Sequence, residues 1–117
     1  MTLQRYRRGL IRPLTEVAEE VLREGALPHP EDVEVYRLPE GFFERHFALF
    51  NDLNRICGVA ADDFTVEEVE PERLGRVITL LRTYPHRGDR ELEDVLERMW
   101  GLCWRAKEAG RSVFLVL

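Results

Sequence analysis

The stretch "SVFLVL", residues 112–117, restricts the fold more than any other part of this chain. Val113 to Leu117 are consecutive apolar residues, too few for a helix and apolar on both sides of a strand. Such a strand belongs inside a sheet with helices against each face, since a bare face would leave Val, Phe or Leu in water. The preceding residues supply one cover. Over 90–109, Leu92, Val95, Leu96, Met99, Leu102, Cys103 and Ala106 recur at helical spacing as one stripe, and Gly110 ends the pattern.

The other elements follow from the same periodicities. Residues 13–24, "PLTEVAEEVLRE", place Leu14, Val17, Ala18, Val21 and Leu22 on one helical face, with Pro13 tolerated in the first turn and Gly25 as the stop. Upstream, "TLQRYRRGL" fits either an edge strand or a helical extension kinked at Pro13. Two prolines hold "ALPHPED" extended, and "DVEVYRL" then alternates as a short strand. Residues 41–57 read as a single helix with Phe42, His46, Leu49, Phe50, Leu53, Ile56 and Cys57 on one side and Gly58 as its end. Thr65-Val66-Glu67-Glu68 resembles a capping box, which Pro71 separates from whatever follows. Leu74, Val77, Ile78 and Leu81 suit a helix, while "RVITLL" suits a strand equally. In "YPHRGDRELEDV", Asp89 is placed as an N-cap, so Arg87-Gly88-Asp89 reads as the start of a helix and not as an adhesion signal.

Together these elements predict one domain over 1–117. The expected architecture is an α/β sandwich with a small, mostly parallel sheet of about three strands, including 33–38 or 76–81 and the buried 112–117, under three or four helices. Short strands joined by long helical connections favour the parallel arrangement, with α+β as the alternative.

Charge narrows the function. The net charge of −5 is unevenly spread: residues 1–12 carry +4, residues 13–72 carry 16 acids against four arginines, −12, and residues 73–117 carry +3. An acidic middle repels phosphate, so nucleic acid is not the expected ligand, whereas a basic protein partner is compatible with it. No apolar run has membrane-spanning length and "MTLQRYRRGLIRPL" has no signal-peptide core, so a cytoplasmic protein is expected. Cys57 and Cys103 are then expected as two buried thiols.

Catalytic chemistry has little behind it. Ser112 is the only serine and has no nearby histidine; Cys57 sits at a helix C-terminus and Cys103 among apolar residues, settings that oppose a thiolate. His29, His46 and His86 lack metal-binding spacing, and no phosphate-binding glycine loop is present. No catalytic, cofactor-binding or metal-ligating residue is therefore assigned. Trp100 and Trp104, four apart, are expected to widen the buried face of the last helix or to form a protein-binding ridge. Phe47 lies beside Glu44, Asn51, Asn54 and Arg55, an aromatic rimmed by polar groups as binding hot spots are.

"LPEGFFERHFALFNDL", residues 38–53, resembles the segment that begins the partner-binding helix of the barstar family of intracellular ribonuclease inhibitors, through Leu38-Pro39, Phe42 and Ala48-Leu49-Phe50. "RAKEAGRSVFLVL" is similar to that family's closing helix, glycine and strand. The two segments cover about 29 of 117 residues. The family's inhibitory carboxylates fall on Phe47 and Asn51, and its glycine and asparagine positions on Phe43 and Arg45, so inhibition of a barnase-type ribonuclease is not implied. The resemblance implies a small domain that offers one helix face to a protein.

The leading expectation is a non-enzymatic protein-binding domain, an inhibitor or immunity-type protein acting on a basic partner such as a toxin or nuclease. Its contact residues would be Glu44, Phe47, Asn51, Asn54, Arg55, Asp62 and Asp63. Two alternatives stand beside it: a small enzyme or ligand-binding domain using His46 with Asp62 or Asp63, and an obligate homodimer joined through an exposed strand or the Trp100/Trp104 ridge.

Overall fold

Strands Gly9–Pro13 (β1), Val33–Arg37 (β2), Val66–Val69 (β3) and Val113–Val116 (β4) form one sheet in the order β2-β1-β4-β3. The computed structural model describes residues 3–63 and 65–117. Every neighbouring pair runs antiparallel, with Ile11 opposite Val35 on one side and Phe114 on the other, and Phe114 opposite Glu68. Helices Glu16–Arg23 (α1), Phe42–Arg45 (α2), Phe47–Cys57 (α3), Pro71–Thr83 (α4) and Arg90–Glu108 (α5) cover it.

This overturns the mostly parallel three-stranded sheet, and the class is the α+β alternative. The parallel reading treated each helical connection as one crossover, but the connections have two legs. Between β3 and β4 the chain leaves along α4 and returns along α5. A Cβ at Gly75 would meet Lys107 at 3.6 Å, and the Arg82 guanidinium lies 5.2 Å from the Trp100 ring centre, pairings that only antiparallel helices make. Two legs return the chain to the end of the sheet it left, so β4 opposes β3. Between β1 and β2, α1 is the outward leg and the proline connector the return.

Local corrections have equally local causes. Pro13 ends β1, a central strand and not an edge strand, and α1 begins only after Thr15, whose hydroxyl accepts from Ala18 N at 3.0 Å. Residues 66–69 are strand, because the Thr65 hydroxyl closes the preceding loop on the Ala60 and Asp62 carbonyls (2.8 and 2.6 Å) and caps no helix. Pro71 opens α4, where its missing N–H costs nothing, so 76–81 is helix. The single helix expected over 41–57 is broken at His46, whose φ of −121° and ψ of 40° separate α2 from α3.

β4 uses its apolar run on both faces. Val113 and Leu115 join Leu10 and Val69 beneath α2–α5, while Phe114 and Val116 join Ile11 and Val33 beneath α1 and the 3-10 turn Leu3–Tyr6. Cys57 and Cys103 are both free and buried. No helix among the described residues is long and apolar enough to cross a membrane.

Candidate protein-binding surface

α3 is amphipathic, and its outer face starts with the expected anchor. Leu49, Phe50, Leu53 and Cys57 turn inward. Phe47 is 48% exposed and held edge-on against Phe43, ring centres 5.8 Å apart. Beside it Ala48, Asn51, Asp52, Asn54 and Arg55 line a shallow concavity. Asn51 is exposed, and among the described residues Arg55 pairs with Asp52 of its own helix at 3.0 Å.

Asn54 has a different job. Its Nδ2 donates to Asp62 Oδ1 at 2.7 Å and its Oδ1 accepts from Ala61 N, which ties the end of α3 to the following loop. Asn54 and Asp62 thus hold the backbone that frames the face.

Glu44 and Asp63 converge on Arg8, which no sequence signal singled out. Arg8 sits at φ 62°, a left-handed conformation uncommon for a side-chain-bearing residue. Its guanidinium pairs with Glu44 at 3.1 Å and Asp63 at 3.0 Å, donates to the Leu117 carbonyl at 2.9 Å, and lies 4.1 Å from the Phe43 ring centre. Arg7 adds a bond to Asp63 at 2.8 Å, and the two arginines hold the Asp63 carboxyl below its ordinary range. Phe47, Phe43, Arg8, Glu44 and Asp63 therefore form one continuous run of contacts. The expected site residues are brought to one side, with Asn54, Asp62, Glu44 and Asp63 acting as supports.

Much of the acidic middle is answered internally. Glu19, Glu20 and Glu68 pair with Arg23, Glu34 with Arg12 and Arg105, and Glu67 and Glu70 with Arg73. Burial alone would raise the Glu34 carboxyl, but Arg105 and Arg12 outweigh it and the group is lowered.

The groups named for catalysis do not assemble. His46 lies 3.7 Å from Asp89, its ring 4.5 Å from that of Phe42, so its acidic neighbour is Asp89 and neither Asp62 nor Asp63. Five surface depressions among the described residues are lined without His46, Asp62 or Asp63. Burial raises the Cys57 thiol and pushes Cys103 up to about 12, which opposes the thiolate at either. Ser112 is buried, and its hydroxyl is spent on Glu68 at 2.7 Å. Among the described residues no group of three or more His, Cys, Asp and Glu side chains could hold a metal ion.

Two surfaces differ from expectation. Trp100 is half-buried, while Trp104 stacks on it at 6.5 Å and stays 45% exposed, so the pair widens the buried face only in part. Leu14, just before α1, and Val17 on it point outward at 41% and 73% exposure. An eight-residue helix has room to bury only Ala18 and Leu22. The signal was present: Thr15 followed by Glu16 and Glu19 marks an N-cap that starts the helix after Leu14.

Comparison of the chain with family models, characterised proteins and solved structures gives no match.

Proposed function

We propose that this chain is a non-enzymatic protein-binding domain of the inhibitor or immunity kind, with the outer face of α3 as its contact surface. The observation that carries the reading is Phe47, a large aromatic side chain left 48% exposed at the head of a helix yet fixed by Phe43. A rigid exposed aromatic loses little conformational freedom when a partner covers it, which is why such residues dominate binding energy. Its polar surroundings make orienting hydrogen bonds available from Asn51 and Arg55, while Asn54, Asp62, Glu44 and Asp63 keep the frame stiff. A net charge of −5 favours a basic partner such as a toxin or nuclease.

The test is affinity capture from the native host at moderate salt, with the wild-type chain and Phe47→Ala side by side. One protein should be retained by the wild type and lost at least about tenfold with Phe47→Ala, as for a hot spot of ~2 kcal/mol. Recovery of no protein at any salt, or equal recovery by the variant, would reject the reading.

A further inference from the structure

We propose that the groove between α1 and the connector 25–32 is a second docking surface, and that its occupant is a basic segment of a partner protein presenting an aliphatic side chain flanked by lysine or arginine. The inference does not depend on Phe47, because α3 covers the opposite face of the sheet.

The floor and walls are mostly apolar, with His29 and Asp32 as the polar residues of the lining. Val17 is more exposed, at 73%, than any other large hydrophobic side chain described, and Val21, Leu27, Pro28 and Pro30 continue the lining. The groove is also preorganised. Ala26 N donates to the Val21 carbonyl at 3.0 Å at one end of the connector, and Leu14 N to the Asp32 carbonyl at 2.8 Å at the other. Pro28 and Pro30 stiffen what lies between, so little order has to be created when a ligand enters.

Charge selects the occupant. Glu16 and Glu20 stand on α1, Glu24 caps its C-terminus, and Glu31 and Asp32 stand on the opposite bank. Among the described residues no side-chain ion pair or hydrogen bond engages Glu16, Glu24, Glu31 or the Asp32 carboxylate. The one arginine of α1, Arg23, is already held by Glu19, Glu20 and Glu68. An apolar strip inside a rim where, among the described residues, Glu16, Glu24, Glu31 and Asp32 have no side-chain partner, and only Glu20 is paired, repels nucleic acid, an anionic lipid surface and a second copy of itself, and attracts an apolar anchor with basic flanks.

The test maps amide shifts on the isotope-labelled full chain during titration with an amphipathic leucine–lysine peptide, and in parallel with the same peptide carrying glutamate for lysine. The lysine peptide should move Val17, Val21, Leu27 and Asp32, and should weaken in about 0.5 M salt, where charges are screened within a few ångströms. Val17→Ser should lower its affinity about tenfold or more, and the paired change Glu24→Lys with Glu31→Lys should turn the preference toward the glutamate peptide. Phe47→Ala should leave all of this unchanged, which separates the result from the α3 reading. Shifts centred on another surface, equal response to both peptides, or undiminished binding by a Val17→Ser chain that keeps the wild-type spectrum would overturn the proposal.

Discussion

Beneath α2–α5 the sheet meets Phe42, Phe50, Leu53, Leu74, Leu96 and Met99, whereas beneath α1 it meets Ala18, Leu22 and the Leu3 of a short turn. The first face closes on large interlocking side chains. The second has too little apolar volume for that and is closed at its rim by polar groups. Glu19 accepts from Ser112 N at 2.8 Å, the Ser112 hydroxyl donates to Glu68, and Glu68 takes two bonds from Arg23 at 2.8 and 2.9 Å. The same network ties α1 to both β3 and the start of β4. Where packing is deep, large side chains close the face; where it is shallow, charge holds the element in place and apolar residues such as Val17 are left outside.

The largest expected effect tests depth directly. Phe50→Ala should cost ~3–5 kcal/mol, because the surrounding aromatic layer cannot collapse into the space, while Leu22→Ala should fall nearer ~2 kcal/mol, since a helix with one exposed side relaxes more easily. Chemical denaturation of both variants measures the difference. Equal losses would mean that the two faces are packed alike.

The second effect is smaller and depends on pH. The Glu68 carboxyl is lowered from its ordinary value of 4.5, chiefly by its hydrogen bond from Arg23, with Ser112 contributing. A carboxyl lowered in the folded state stabilises the fold fully above its unfolded value, and that contribution fades as pH falls through the folded one. Wild type should therefore exceed Glu68→Gln by a constant margin from about pH 6 upward, with the margin shrinking below about pH 4.5. A margin that does not change with pH would remove charge as the tie on the α1 face.

How far the sequence shows this division varies by element. The stripe of α5 and the apolar run of β4 could be read directly, because seven inward residues at helical spacing and five consecutive apolar residues have few other uses. The direction of the strands could not be read. It depends on whether a connection has one leg or two, and the ambiguous 76–81 stretch concealed that α4 and α5 form a hairpin. Phe47 and its neighbours were legible as a polar-rimmed aromatic, yet Arg8 was not, since its partners Glu44, Asp63 and Leu117 lie far along the chain. The short span of α1 was legible only through Thr15 with Glu16 and Glu19 behind it, the cap that starts the helix after Leu14.

The smallest effect separates one helix end from both faces. Asp89 is the N-cap of α5, and its Oδ1 accepts from Leu92 N at 3.0 Å. Glu91 and Glu93 follow in the first turn, where the helix dipole favours negative charge. Its other oxygen lies 3.7 Å from His46 at the α2–α3 break, so the residue also faces the α3 side of the molecule. Asp89→Ala should cost ~1 kcal/mol, and hydrogen exchange should locate the loss in the first turn of α5, with the amides of α1 and β1 as protected as in wild type. Capture through the Phe47 face should be unchanged, because the cap supports the helix and touches no contact residue. Loosening of α1 amides in this variant would show that the two faces unfold as one unit and that the shallow face draws its stability from the deep one.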